Sequence, residues 1–216
     1  LSEGLFLKNT FKFMVPSSNF HTFFPCTDKS DVLMSLKDRD RTEVIREALL
    51  TKIKPDIVFI TSLFEGQVDN AVVTAQNSNS KYKTVVILYD LIPLLYPGSY
   101  LKNRQSKLWY QKRLEQLKKI DCILTISDYT KKTANNLLNI TGKKLLNISG
   151  AIDHEFFFVS EDITRKNYIF SVSGLDPRKN LSFLIESFSK SILLLKNNFK
   201  LIITCNITQQ AVYELR

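Results

Sequence analysis

The sequence is poor in the residues that build metal centres and disulfide frameworks. It has only two histidines and three cysteines, and Cys26, Cys122 and Cys205 lie far apart, without a C-x-x-C pair. An odd number of widely spaced cysteines argues against both a disulfide framework and a zinc site. We therefore expect free thiols in a reducing, cytoplasmic setting, and no metal cofactor.

Long apolar runs are also missing from the chain. No stretch approaches the roughly 20 apolar residues of a transmembrane helix, and residues 1–16 lack the basic start and apolar centre of a signal peptide. Because the first residue is Leu1 rather than Met, we expect a truncated or processed product. With 44% hydrophobic and 24% charged residues among 216, the chain is predicted to be globular, with a sizeable core.

Positive charge is in excess, with 30 Lys and Arg against 21 Asp and Glu and a formal net charge of +9. Such an excess indicates an anionic partner: nucleic acid, anionic lipid headgroups or a phosphate-bearing small molecule. The residues around Trp109 and Tyr110 hold a dense group of cations: Lys102, Arg104, Lys107, Lys112, Arg113, Lys118 and Lys119.

This basic segment has two interpretations. Cations interleaved with aromatics can bind an anionic membrane surface or nucleic acid. The favoured alternative is one solvated face of an amphipathic helix whose aromatics enter the core, because Tyr110, Leu114 and Leu117 form an apolar stripe. No nucleic-acid recognition motif accompanies the charge, so no nucleic-acid partner is expected. Peripheral contact with the inner face of a membrane stays an open alternative.

Short apolar runs alternate with helical patterns along the chain. The predicted strands are Asp56–Thr61, Thr84–Asp90, Asp121–Ile126, Lys144–Ser149, Tyr168–Ser173 and Lys200–Cys205. The predicted helices include Arg41–Lys54, Gln105–Lys119 and Leu181–Leu195. This alternation predicts an α/β, Rossmann-like parallel sheet with helices on both faces, followed by the start of a second Rossmann-like domain.

Polar stretches suggest where the domains meet. We assign residues 1–150 to a first domain, 151–167 to a polar interdomain connector and 168–216 to the beginning of a second domain. One strand, one helix and another strand are too few to close a sheet, so the second domain is expected to be incomplete.

Polar residues follow three of the predicted strands. Glu65 and Gly66 follow the first, Tyr89 and Asp90 stand at the end of the second, and Ser127 follows the third. Open parallel sheets bind ligands outside the carboxyl ends of their strands, so these residues are predicted to line a cleft. Each also has a local explanation: Ser127 suits a helix N-cap, and Asp90 suits a turn.

A second candidate site follows the strand at 168–173. Ser173 and Gly174 form a small-residue turn, then come the cations Arg178 and Lys179 and a predicted helix cap, Asn180. Amides at a helix N-terminus and nearby cations suit a phosphate or diphosphate. The loop is not a Walker A motif, and the alternative is a solvated, charged turn.

Four segments in this order resemble the glycosyltransferases of family 4 (the "group 1" family), which have the GT-B fold. The segments are KPDIVFITSLFEG, VVILYDLIPLLYP, KKIDCILTISDYTKK and SVSGLDPRKNLSFLIESF, joined by GAIDHEFF, which is similar to the interdomain connector of the family. The resemblance covers roughly residues 41–188.

The resemblance implies a two-domain enzyme of polysaccharide assembly. Such an enzyme transfers a sugar from a nucleotide-sugar donor to a glycan or lipid-linked acceptor, with retention of configuration and without a metal. Lys179 matches the phosphate-contacting lysine, and Arg178 the basic residue beside it. Tyr89 and Asp90 stand at the catalytic pair, and the first domain forms the acceptor side.

The sequence departs from the family pattern at several positions. Ser173 stands where glycine is usual, Gly174 where many members have arginine, and Tyr89 where many have histidine. Tyrosine cannot gain a positive charge near neutral pH, but it can donate a hydrogen bond or stack on a sugar. The glycine-rich first loop and a pair of second-domain glutamates are absent from the 216 residues.

These absences lead to two expectations. The chain is expected to be a central piece of the enzyme, cut at both ends and inactive by itself. The alternative is a non-catalytic remnant or binding module from a split or truncated gene.

Overall fold

The computed structural model describes residues 8–21, 23, 34–75, 81–140, 144–152, 166–174 and 176–204. The chain divides into two units, Leu1–Ala151 and Ile152–Arg216. The residues outside this description include most of the predicted connector, residues 76–80, Cys26 and Cys205.

A four-stranded parallel sheet forms the centre of the first unit. Its strands, in spatial order, are β1 (Ile57–Ile60), β2 (Lys83–Leu88), β3 (Cys122–Thr125) and β4 (Leu145–Asn147). All three pairings are parallel, and helices flank the sheet. The predicted α/β, Rossmann-like class is therefore confirmed. One difference lies at the edge: Ile57 and Phe59 of β1 are exposed rather than covered.

In the part of the first unit described from residue 34 onward, the α-helices are α1 (Leu36–Ile53), α2 (Ile92–Leu95), α3 (Pro97–Tyr100), α4 (Arg104–Lys119) and α5 (Asp128–Leu138). Side-chain caps fix the starts of the three long ones. The oxygens of Ser35, Asn103 and Ser127 accept hydrogen bonds from backbone amides three residues ahead. The cap at Ser35 explains why α1 begins five residues before the predicted Arg41.

The core of the first unit joins α4 to the middle of the sheet. Tyr110, Leu114 and Leu117 of α4 belong to one buried hydrophobic cluster with Val86 of β2 and Ile123 of β3. The predicted apolar stripe of this helix is therefore confirmed. Burying such side chains removes apolar surface from water, which is the main favourable contribution to folding.

The second unit contains a parallel pair of strands, β5 (Tyr168–Val172) and β6 (Lys200–Thr204), with α6 (Leu181–Ser189) and α7 (Ile192–Lys196) between them. The predicted single helix at 181–195 is wrong, because the chain leaves the helical conformation at Ser191. Ser189 Oγ donates to the carbonyl oxygen of Glu186 at 2.8 Å. This local bond competes with continued helix formation.

Among the described residues, no helix is long and apolar enough to cross a membrane.

Hydrogen bonds to Asp121 connect the start of β3 to the start of β2. Its Oδ2 accepts hydrogen bonds from Thr84 N at 2.9 Å and Thr84 Oγ1 at 3.0 Å, and its Oδ1 accepts one from Lys83 Nζ at 3.2 Å. Burial opposes ionisation of the Asp121 carboxyl, but the hydrogen bonds from Thr84 and Lys83 outweigh it and lower the pKa below the ordinary 3.8.

The substitution Asp121→Asn is expected to lower the free energy of unfolding at neutral pH by about 1 kcal/mol, because it weakens charge-assisted hydrogen bonds. The pKa of Asp121 is lower in the folded chain than in the unfolded chain. Its stabilising effect is therefore complete above about pH 4 and is lost as the pH falls through the folded pKa. Urea unfolding of the unaltered protein and of Asp121→Asn, from neutral to acid pH, measures the difference between their free energies of unfolding. A difference that does not shrink in acid contradicts the assignment.

Candidate functional site

A cleft of about 320 Å³ opens at the carboxyl ends of β1 and β2. This volume is within the range of small-molecule sites, about 300–1,000 Å³. The cleft is lined by residues 62–65, 67, 87, 89, 90, 93, 100, 101, 109 and 110. The loop after β1, the end of β2, the short helices α2 and α3 and the helix α4 thus form its walls.

Three of the predicted site residues line this cleft: Glu65, Tyr89 and Asp90. The Tyr89 side chain is 51% exposed. Asp90 Oδ1 accepts a hydrogen bond from Ile92 N at 2.9 Å, which is the predicted turn. Since Asp90 also lines the cleft, its two interpretations are compatible: the turn holds the carboxylate at the end of the strand.

Gly66 is buried and is not among the residues that line the cleft. Its φ is +88°, and an added Cβ would lie 2.3 Å from both the carbonyl oxygen of Ala71 and Nη1 of Arg39. Glycine is needed here for backbone conformation and for close packing. The role of Gly66 is therefore to let the loop fold over Arg39.

Ser127 acts on the cleft through a second residue. Its Oγ caps α5 by accepting from Thr130 N at 3.1 Å, and it donates to Thr130 Oγ1 at 3.1 Å. Thr130 Oγ1 in turn donates to the carbonyl oxygen of Tyr89 at 3.0 Å. Ser127 is not among the lining residues, so it positions the backbone of Tyr89. The S-x-x-T pattern was the signal in the sequence for Thr130.

Buried arginines hold the loop that follows β1. Arg113 Nη1 donates to the carbonyl oxygen of Val73 at 2.6 Å, and Arg39 Nη1 donates to that of Ala71 at 2.8 Å. Arg113 was predicted on a solvated face but is only 1% exposed, and burial lowers its pKa. The prediction failed because the buried carbonyl oxygens of this loop need hydrogen-bond donors. A guanidinium group carries several N–H donors in one plane and can meet that need.

The remaining basic face of α4 is partly neutralised. Lys112 Nζ lies 3.4 Å from Asp40 and 3.2 Å from Glu43, and Lys118 Nζ lies 2.9 Å from Glu115. Exposed pairs of this kind contribute little to stability, but they reduce the positive field around the helix. Contact with an anionic membrane remains a prediction.

Three aromatic rings meet at the cleft wall formed by α4. The ring centroids of Phe64 and Tyr110 are 5.0 Å apart, and those of Phe64 and Trp109 are 6.4 Å apart. Tyr110 is buried, as predicted for an aromatic entering the core. No pattern in the sequence indicated that the same residues would also line the cleft, because helical spacing specifies which face of a helix is apolar and not what that face contacts.

The predicted phosphate loop lies in the second unit, and its two cations differ. Arg178 Nη2 lies 2.8 Å from Oδ2 of Asp176, and the two residues form further hydrogen bonds. Lys179 is exposed and makes no ion pair with any other described residue. Lys179 is thus the more available of the two predicted phosphate ligands.

The turn before α6 also differs from its prediction. Asn180 stands at the N-cap position but has a left-handed φ of 47°, and its side chain makes no capping hydrogen bond. Asparagine tolerates this conformation better than most residues. Ser173 Oγ is buried without a hydrogen-bond partner among the described residues. In the same part of the chain, apart from its two neighbours in sequence, no atom lies within 4 Å of a Cβ built on Gly174.

Among the described residues, no three side chains of His, Cys, Asp or Glu are close enough to hold a metal ion.

Comparison with known proteins gives relatives but no family model, since no model matches the chain. Two proteins of Escherichia coli named "Serotype-specific mannosyltransferase WbdA" are each 30% identical over 158 residues, or 68% of this chain and 19% of the relative. A third of the same name is 26% identical over 176 residues, or 76% of this chain and 22% of the relative. The chain therefore spans about a fifth of the length of these relatives. The similarity to glycosyltransferases that the sequence predicts is therefore confirmed, by relatives of 26% to 30% identity.

The substitution Gly66→Ala is expected to lower the free energy of unfolding by about 2 kcal/mol or more, because the added methyl group meets Arg39 and Ala71 at a positive φ. Gly98→Ala is the matched control, since its added Cβ has no atom of any described residue within 4 Å, apart from the two chain neighbours of Gly98. Denaturant unfolding measures both variants. Equal stability of the two variants would mean that the loop does not need Gly66.

Proposed function

We propose that this chain is part of a glycosyltransferase that moves a sugar from a nucleotide-sugar donor to a glycan or lipid-linked acceptor in polysaccharide assembly. The observation that carries the proposal is the position of Tyr89 and Asp90 on a cleft at the strand ends, in a chain similar to named mannosyltransferases. Mannose is accordingly the first donor sugar to test. Family 4, the GT-B fold and the retaining course belong to the same proposal.

Lys179 is the proposed ligand for the donor diphosphate. Its exposed ammonium group lies in the turn that leads into α6, where backbone amides near the helix N-terminus also favour an anion. Among the described residues, and apart from the chain neighbours of Gly174, no atom lies within 4 Å of a Cβ at Gly174. Arg178 contributes less, because Asp176 already binds its guanidinium group. No metal is required by this arrangement.

The proposed reaction is a sugar transfer in which each of these side chains has a role. An acceptor hydroxyl oxygen bonds to the anomeric carbon, the bond from that carbon to the diphosphate breaks, and the diphosphate leaves with the electron pair and takes the hydroxyl proton. Lys179 stabilises the negative charge that develops on the leaving group. Asp90 accepts a hydrogen bond from a sugar hydroxyl, and Tyr89 donates one or stacks on the ring.

The second candidate is a binding module without turnover. The pair of glutamates expected in the second domain is absent from the 216 residues, which favours this candidate for the chain taken alone. We therefore expect the 216-residue chain to bind ligands without transfer. The protein that the gene encodes around this chain should carry the activity. Turnover by the isolated 216 residues would contradict this expectation.

Lys179→Ala in the gene-encoded protein is expected to lower kcat/KM for GDP-mannose about 10- to 100-fold, the effect of one lost charge-assisted hydrogen bond. Lys190→Ala is the matched control, because Lys190 is exposed nearby and pairs with Glu186 of α6. Release of the nucleotide diphosphate measures turnover. Equal activity of the two variants would remove Lys179 from the donor site, and no turnover with any common nucleotide sugar would contradict the transferase.

Tyr89→Phe is expected to lower kcat/KM about tenfold, because it removes the hydroxyl donor and keeps the ring. Tyr89→His should retain more activity, since imidazole still forms hydrogen bonds. Tyr129→Phe is the control, because Tyr129 is exposed on α5 and does not line the cleft. The same turnover assay compares the three. Indifference to both changes at residue 89 would show that Tyr89 does not take part.

A further inference from the structure

The side chain of Asn147 connects two elements at the carboxyl edge of the first unit's sheet. Asn147 is the last residue of β4, and it is half-buried. Its Nδ2 donates to Oδ1 of Asp128 at 2.9 Å, and its Oδ1 accepts a hydrogen bond from Ser149 N at 2.8 Å. Because the donor and the acceptor of the amide are both used, these two bonds hold it in one orientation.

The bond to Ser149 fixes a turn directly after β4. Ile148 N still donates to the carbonyl oxygen of Thr125 at 2.9 Å, as a strand residue would. Ser149 then takes a left-handed φ of 59°, which is unfavourable for a residue with a Cβ. The Oδ1 of Asn147 stabilises this conformation by binding the Ser149 amide. The direction in which the chain leaves the sheet therefore depends on Asn147.

The bond to Asp128 reaches the first turn of α5. A carboxylate in the first turn of a helix is favoured by the helix dipole, and Asp128 also accepts the bond from Asn147. The same turn contains Thr130, whose Oγ1 donates to the carbonyl oxygen of Tyr89 at 3.0 Å. A path of side-chain hydrogen bonds and one helical turn thus leads from the end of β4 to Tyr89.

The position of Tyr89 depends on this path because the residue lies beyond the paired part of its strand. The last paired residue of β2 is Leu88, which stands opposite Thr125 of β3. The carbonyl oxygen of Tyr89 is bound by a hydroxyl group of α5 instead. Its side chain is 51% exposed, so the backbone largely sets where the ring is placed.

We infer that Asn147 is a positioning residue for Tyr89. Through Asp128 it fixes the first turn of α5, and Thr130 in that turn holds the backbone of Tyr89 at the cleft. Asn147 is not among the residues that line the cleft, so it acts only through these partners. Its effect on turnover rests on the proposed transferase function, whereas the coupling itself belongs to the first unit.

An exchange of the two side chains tests the bond between them. Asn147→Asp puts a second carboxylate beside Asp128, and the two negative charges repel each other. Combining Asn147→Asp with Asp128→Asn restores the bond in reverse, because an amide at 128 then donates to a carboxylate at 147. The second oxygen of that carboxylate still accepts from Ser149 N. Asn135→Asp is the control, since it adds the same charge at an exposed asparagine of α5.

Hydrogen exchange in the 216-residue chain measures the coupling without any substrate. Asn147→Asp is expected to speed exchange about fivefold, the effect of one lost hydrogen bond, in the first turn of α5 and at Ile92 N. That amide reports on the cleft because it donates to Asp90, the neighbour of Tyr89. Residues 181–189 of the second unit should exchange as before.

The other variants decide what the exchange rates mean. The combined variant should return both regions to the rates of the unaltered chain, and Asn135→Asp should not change them. Asn147→Ala removes the bonds without repulsion, so it should act in the same direction and tests the coupling even if Asn147→Asp does not fold. Unchanged exchange at Ile92 in Asn147→Ala, or no recovery in a folded combined variant, overturns the inference.

Turnover by the gene-encoded protein separates positioning from a purely structural role. Asn147→Ala is expected to lower kcat about fivefold, because a misplaced Tyr89 hydroxyl no longer meets the sugar. In a Tyr89→Phe background the same change should lower kcat less than about twofold, since the hydroxyl is already gone. An equal loss in both backgrounds would show that Asn147 supports only the fold, and it overturns the inference.

Failure of this inference and failure of the proposed function are distinguishable. Transfer that is indifferent to Asn147 leaves the transferase standing and overturns the positioning role. Absence of transfer in the unaltered protein contradicts the transferase, while the exchange rates at Ile92 still decide whether Asn147 controls the position of Tyr89.

Discussion

The loop after β1 keeps its shape because arginine side chains bind its backbone carbonyls. Arg39 and Arg113 donate to Ala71 and Val73, and Gly66 makes the close approach of Arg39 sterically allowed. Such carbonyls would otherwise be buried without donors, at a cost in folding free energy. One wall of the cleft therefore depends on charged groups that never reach its surface.

This use of arginine also changes the meaning of the net charge. Arg113 lies inside the first unit, Arg178 is bound by Asp176, and Lys112 lies between two carboxylates. A formal charge counts each of them as free, although a neutralised or buried cation attracts a distant anion weakly. The cleft itself is lined by two carboxylates, Glu65 and Asp90, so the charge that matters for its ligand is opposite in sign to the sum over the chain.

Local features were predicted well where the cause is itself local. The capping pattern at Ser127 forms as expected, and Tyr89 and Asp90 do follow β2 directly. Predictions failed where two local forces compete: the helix predicted at 181–195 breaks after Ser189 bonds to Glu186, and Asn180 takes a left-handed conformation instead of capping with its side chain. The residue types at these positions permit either outcome, and only the folded backbone selects one.

The sequence by itself determined that strands and helices alternate along the chain, because the spacing of apolar residues and the helix caps act over a few residues. It also determined that Tyr89 and Asp90 end a buried strand. Only the tertiary structure decided that Arg113 is buried, since its partner Val73 is 40 positions away. It likewise decided that Trp109 and Tyr110 face a cleft and not only a core. Contacts between distant segments have no period in the sequence, so they appear only when the chain folds.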